Sequence, residues 1–243
     1  MEHNIINIEN LTKKYYLNKS NNIIPFFNIT TKSNKIEIPA LTNINLKIKH
    51  GESIGIIGDN GAGKTTLLKL ISEITRPSTG RIELYGNVAS FFDIGFSFHP
   101  DLSGLDNIYF ISNLMGFTNK QVKPKINDLI DFSEIGDRIN TQVKFYSRGM
   151  KIKLAFSIIA FIEADILLFD EISFLGEDIK FRKKINQRLQ ELKNKKTILL
   201  VSHYLEDIKK LCDRVVWLEN GEIKKIGITQ EVINDYIEFN TIK

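Results

Sequence analysis

The stretch Gly58-Asp59-Asn60-Gly61-Ala62-Gly63-Lys64-Thr65-Thr66 restricts the possible folds of this chain more than any other feature. It satisfies G-x-x-x-x-G-K-[ST] at every fixed position. It also stands between a short apolar run, "SIGIIG" (53–58), and "GKTTLLKLISEI" (63–74), which has helical periodicity. Glycines let backbone N–H groups curl around phosphate oxygens, and the dipole of the following helix favours negative charge. Lys64 reaches the outer phosphates and Thr65 offers its hydroxyl to Mg²⁺. A chance glycine turn opening a helix is the competing reading; the strand before and the helix after argue against it.

With 243 residues, 42% hydrophobic and 26% charged, the chain has ordinary globular composition and length for one large domain or two small ones. A net charge of +4 permits an anionic partner and requires none. Cys212 is the only cysteine, so no internal disulfide forms. The start, "MEHNIINIEN", is no secretory signal, and no apolar run approaches the ~20 residues that span a bilayer. A soluble chain is expected, with membrane contact only through a partner.

Strand patterns at 44–49, 53–58, 81–87, 166–171 and 197–203 alternate with helical ones at 63–74, 107–132 (broken near Gly116, bent near Pro124), 148–163, 180–193 and 205–212. "RVVWLENGEIKKIG" predicts a hairpin turning on Asn220-Gly221, and an amphipathic helix is expected from Thr229 to Phe239. The expected fold is α/β, a mixed sheet flanked by helices with an antiparallel β portion. It forms one domain over 1–243, with a core at about 1–92 and 164–243 and a helical subdomain at about 93–163. Residues 18–38 read as a loop or small hairpin inserted early.

A phosphate loop requires a second half, a buried strand ending in acid. "ILLFDE" supplies Asp170 for the metal's shell and Glu171 as a base for water. No N-K-x-D guanine motif exists, since "NKSN" and "NKQV" both fail at the acid. Tyr15 or Tyr16 offers an aromatic face to adenine, the alternative being that both pack the early strand. His203 ends a strand as "VSH", where either a structural role or a γ-phosphate contact is open. "YSRGMKI" (146–152) puts Ser147 at the start of an apolar helix, with Gly149 and two basic residues in its first turn. That is either a simple cap or a second anion site.

The order phosphate loop, Y-S-R-G-M, "ILLFDE", "VSH" resembles the ATP-binding subunit of an ABC transporter from about Ile6 to Tyr236. The Y-S-x-G-M form, "DIGFSFHPDLSGLDNIYF" (93–110) and "CDRVVWLENGEIKKIG" (212–227) resemble the branch that exports O-antigen, capsule and teichoic acid polysaccharides. The resemblance implies ATP and Mg²⁺ as cofactors. Tyr15 would stack on adenine, the loop from Gly58 through Thr66 would hold phosphates, and Thr65 and Asp170 would serve the metal. Glu171 would polarise water and His203 would touch the γ-phosphate. Ser147 and Gly149 would act on the nucleotide of a second copy, which makes the working unit a homodimer. A polytopic permease would hold it at the cytoplasmic face of the membrane.

Three positions depart from the family pattern. Asp93 or Ile94 stands where a coupling glutamine is usual, which makes Asp93 the candidate coupling and metal-contacting residue; Glu177 replaces an aspartate, and Arg148 a signature glycine. The chain stops at Lys243, so no C-terminal carbohydrate-binding domain is expected, and substrate recognition is assigned to the permease. Two rival functions follow from the same motifs. One is an ABC ATPase acting on nucleic acid or the ribosome, suggested by the basic stretch "FRKKINQRLQELKNKK" (181–196), although no nucleic-acid partner is expected. The other is a dimer that signals without useful turnover.

Overall fold

The computed structural model describes residues 3–18, 35–91, 98–170, 178–202 and 204–242. Its centre is the apolar run before the phosphate loop: β3 (Ser53–Ile57) is buried along its whole length. It belongs to a six-stranded sheet ordered β5 (Val88–Ser90), β6 (Ile166–Asp170), β7 (Thr197–Val201), β3, β8 (Arg214–Glu219), β9 (Glu222–Ile228). Every neighbouring pair is parallel except β8 and β9, which form the expected hairpin. Asn220 and Gly221 both have positive φ, 50° and 80°, as a type I′ turn requires.

Parallel strands buried on both faces read as continuous apolar runs, and period 2 sorts their side chains between two cores. Ile54 and Ile56, Leu168, Leu199 and Val201, and Val216 and Leu218 point to one side. There they meet α1 (Lys64–Ile71) and a three-stranded antiparallel sheet, β2 (Lys35–Lys49), β1 (Asn4–Asn18), β4 (Thr79–Leu84). Leu167 and Phe169, Leu200, and Val215 and Trp217 point to the other side. That side is covered by α5 (Arg148–Phe161), α6 (Ile179–Leu192), α7 (Leu205–Leu211) and α8 (Thr229–Ile242).

From residue 98 to α5 the chain is mostly helical: α2 (Gly104–Leu114), α3 (Asn119–Val122) and α4 (Ile126–Ser133). Ser103 caps α2 by accepting from Asp106 N at 3.0 Å, and Thr118 and Gln121 form a capping box at α3. The break near Gly116 and the 3₁₀ turn over Lys123–Lys125, which holds Pro124, fall where the pattern placed them.

The antiparallel sheet differs from the expectation in two ways. Tyr15–Asn18 pair with Ile38–Lys35, so the β1–β2 ladder runs into what read as inserted loop. Residues 19–34, the rest of that segment, lie outside the described residues. β4, read as 81–87, is Thr79–Leu84 and pairs with β1. α1 stops at Ile71, short of Ile74, because Glu73 turns to φ 60°.

Candidate active site

β3, β6 and β7 are parallel, so their C-terminal ends share one edge of the sheet. Ile56 pairs with Val201 and Val201 with Asp170, which puts the three in one row, about 10 Å from end to end. Ligands of open α/β sheets bind at such an edge.

The phosphate loop leaves β3 through Gly58, whose φ is 145° and whose Cβ, had it one, would lie 2.1 Å from Leu218 O. It enters α1 through Gly63, at φ 102°, where a Cβ would press within 2.7 Å of Ala40 O. Only glycine fits such a turn against neighbouring backbone. Gly63 brings no side-chain cap to α1 and no acid stands in the first turn, so the free N–H groups there remain available to an anion. By contrast, α2, α4, α7 and α8 each carry an acid in their first turn. Asp59, Asn60 and Gly61 are exposed, and Ala62 is buried and donates its N–H to Asp59 O at 3.1 Å.

Lys64 is buried, and its ammonium donates to Gly58 O (2.7 Å) and Asp59 O (2.9 Å) inside the loop. Thr65 Oγ1 donates to Asp170 Oδ2 at 2.7 Å. This contact joins the two halves of the motif, 105 residues apart in sequence. A hydroxyl and a carboxylate side by side at a strand edge are oxygen ligands suited to Mg²⁺. Thr66 follows on the same helix.

The other predicted residues divide into those the structure describes and those it does not. Glu171, which directly follows Asp170, lies outside the described residues, as do His203, Asp93, Ile94 and Glu177. Tyr15 is on β1 opposite Ile38, and Lys13, opposite Leu41, places its ammonium 5.1 Å from the Tyr15 ring centroid. Leu41 packs where a Gly63 side chain would be, so Tyr15 lies two residues along the ribbon that seals the loop. Tyr15 and Tyr16 are 40% and 57% exposed, which disfavours the reading that they pack the early strand.

Ser147 caps α5, its Oγ accepting from Met150 N at 3.2 Å, and no acid stands in that helix's first turn. Gly149 is exposed. Tyr146 anchors the turn: it is 6% exposed and its hydroxyl donates to Arg138 O at 2.7 Å. Among the described residues, neither Ser147 nor Gly149 is bonded to the loop at 58–66. The start of α1 on the sheet is thus uncapped, while the start of α5 on the helical segment is capped by Ser147; neither has an acid in its first turn.

Two features had no sequence signal. Lys153, in the second turn of α5, bridges Glu134 (2.8 Å) and Asp178 (2.7 Å), and Asp178 caps α6 by accepting from Phe181 N at 3.0 Å. Tyr236 of α8 donates to Asp59 Oδ1 at 3.2 Å. Their partners are too distant along the chain for any local pattern to link them.

Comparison with known proteins gives one family. Residues 41–173 match the model described as "ABC transporter". The chain is 41% identical over 198 residues, 81% of its length and 80% of the relative's, to an O-antigen export system ATP-binding protein, RfbB, from Klebsiella pneumoniae. It is 42% identical over 242 residues to a teichoic acids export ATP-binding protein, TagH, from Lactococcus lactis subsp. lactis, of which it spans about half, 51%. Among solved structures, an ATP-binding subunit of an ABC transporter superposes with TM-score 0.76 at 22% identity, covering 96% of this chain and 93% of that one. A dimeric ATP-binding cassette in a post-hydrolysis state, bound to ADP and Pi, superposes with TM-score 0.74 at 21% identity, covering 92% and 98%.

Proposed function

The chain belongs to the ABC transporter family as one of its ATP-binding ATPases, and from that premise we propose that it powers export of a lipid-linked polysaccharide of the O-antigen, teichoic acid or capsule type. A polytopic permease carries the substrate, and a second copy of this chain completes each nucleotide site at the cytoplasmic face of the membrane. The names of the relatives support the polysaccharide class. They lend nothing to the nucleic-acid alternative, and three basic side chains of α6 are engaged internally: Arg182 pairs with Asp207, Lys184 with Glu134 and Arg188 with Glu191. No helix among the described residues is long and apolar enough to cross a membrane. A concavity of about 600 Å³ between β4, β5, the end of α1 and α2 supports a docking place for it, with Leu114 65% exposed at its wall.

The observation that carries the ATPase reading is the 2.7 Å contact from Thr65 to Asp170 beneath an uncapped, glycine-lined helix start. Both features fit ATP with Mg²⁺: the loop is a cradle that side chains would fill, and the paired oxygens are hard-cation ligands. Mg²⁺, when bound with ATP, neutralises the phosphate charge that builds during transfer. In the proposed cycle, N–H groups from Gly58 through Thr66 hold the phosphates, and Lys64 turns its ammonium from the Gly58 and Asp59 carbonyls to them. Thr65 and Asp170 hold the metal. Glu171 takes the proton of the attacking water, and His203 steadies the γ-phosphate. Ser147 and Gly149 close over the nucleotide of the partner copy, with Tyr15 stacked on adenine. Closure drives the permease because ATP binds the closed pair more tightly than the open one.

The test is Glu171→Gln in the purified chain with ATP and Mg²⁺. Trapped dimers by light scattering and hydrolysis lowered by about a hundredfold or more are expected. Unchanged turnover would remove Glu171 from the mechanism. For the substrate class, deletion of the chain's coding sequence in its host is expected to leave lipid-linked glycan inside the cell.

A further inference from the structure

Asp59 is the only acid in the phosphate loop, and the structure holds its two ends apart. Its backbone carbonyl turns into the loop, accepting from Ala62 N at 3.1 Å and from Lys64 Nζ at 2.9 Å. Its carboxylate turns out to α8, where the Tyr236 hydroxyl donates to Oδ1 at 3.2 Å across 177 positions of sequence. α8 is itself firmly seated. Tyr236 and Phe239 meet Trp217 edge-on at 5.3 and 5.2 Å, and Lys225 of β9 pairs with Asp235. The hairpin beneath it grips the same loop, since Gly221 N donates to Ala62 O at 3.2 Å while Gly221 O accepts from Thr42 N at 2.8 Å.

A carboxylate beside an uncapped helix start is an anion within reach of the N–H groups and the ammonium that phosphates need. Asp59 is exposed and sits five positions before the first residue of α1. Released, it would compete for them. We propose that Tyr236 is a positioning residue of the phosphate loop: by holding the Asp59 carboxylate against α8, it keeps the loop's own acid off the ground that nucleotide phosphates occupy. Burial and the Asp59 charge both raise the Tyr236 phenol's pKa, so it stays protonated and able to donate. The inference rests on the reading of this loop as the ATP site.

The experiment is equilibrium binding of ATP with Mg²⁺ to the full chain and to Tyr236→Phe, Asp59→Asn, the double variant and Lys64→Ala. Phenylalanine keeps the packing on Trp217 and loses only the hydroxyl, so a purely structural Tyr236 would leave affinity unchanged. Tyr236→Phe is expected to weaken ATP binding about threefold to tenfold, and in the Asp59→Asn background, where no charge competes, by less than about 1.5-fold. Trp217, the only tryptophan, gives a second readout. Its emission should change on ATP binding, and the amplitude should fall about twofold or more in Tyr236→Phe. Equal weakening in both backgrounds, or none in either, overturns the inference while Lys64-dependent binding keeps the ATP site standing. Wild-type binding that ignores Lys64→Ala overturns the site reading and this inference with it.

Discussion

At the scale of single residues, the backbone geometry of the phosphate loop was legible because it is written in contiguous sequence. Gly58 and Gly63 are where the motif puts them because a backbone turn against Leu218 O and Ala40 O leaves no room for a side chain. Thr65 and Asp170 are 105 positions apart, and the sequence assigned each to the metal; their direct contact is the structure's addition. Thr65→Val keeps the shape and removes the proposed metal ligand. It is expected to weaken the Mg²⁺ dependence of hydrolysis about tenfold or more, read by titrating Mg²⁺ at fixed ATP; an unchanged titration would take Thr65 out of the metal's shell. Tyr236 and Lys153 were not legible. A tyrosine in an amphipathic helix and a lysine in an apolar one carry no sign of which distant carboxylate they meet.

At the scale of elements, α5 combines a proposed function at one face with a structural tie at the other. Its start, capped by Ser147, is the proposed partner-facing anion site, while one turn on Lys153 fastens it to Glu134 and to the cap of α6. Ser147→Ala should cost about 1 kcal/mol of stability as a lost cap, measured by urea unfolding. Hydrolysis should fall at least about tenfold, far more than that destabilisation explains; a drop in stability alone would leave Ser147 as a cap only. Lys153→Met tests the other face. The Lys153 hydrogen bond is the largest influence holding both Glu134 and Asp178 below their ordinary pKa. Groups with depressed folded pKa contribute stability above their unfolded pKa and lose it as pH falls through the folded value. The variant should therefore be less stable than wild type at neutral pH, and the gap should close as pH drops below the carboxylate range, about 4. A gap independent of pH would mean that Lys153 contributes through packing over the Phe181 ring, 4.9 Å from its ammonium. Helices were readable from their period, and the buried strands from short continuous apolar runs bounded by turn residues. β1 was less so: "NIINIENLTKKYYLN" is interrupted by positive φ at Asn10 and by register shifts against β2, which hide its alternation.

At the scale of the whole molecule, the proposed pairing of two copies starts from two helix starts that, among the described residues, do not meet within one chain. α1 opens at the sheet edge beside Asp170, and α5 opens on the helical segment with Ser147 bonded to its own Met150. If each site takes its loop from one copy and its Ser147 from the other, damage to the two parts should complement in a defined way. A dimer of Lys64→Ala has two dead loops, and a dimer of Ser147→Ala has two dead caps. A mixed dimer has one site with both defects and one with neither. Mixing equal amounts of the two inactive proteins, with exchange, makes about half the dimers mixed and half their sites intact. Activity should therefore recover to about a quarter of wild type if the sites act independently, and to less if they must fire together. The recovery should vanish when one protein carries both substitutions, because no combination then rebuilds an intact site. A monomeric ATPase predicts no recovery at any mixing ratio, since each chain would carry its defect alone. Activity that rises only on mixing is thus the measurement that distinguishes a shared nucleotide site from a private one.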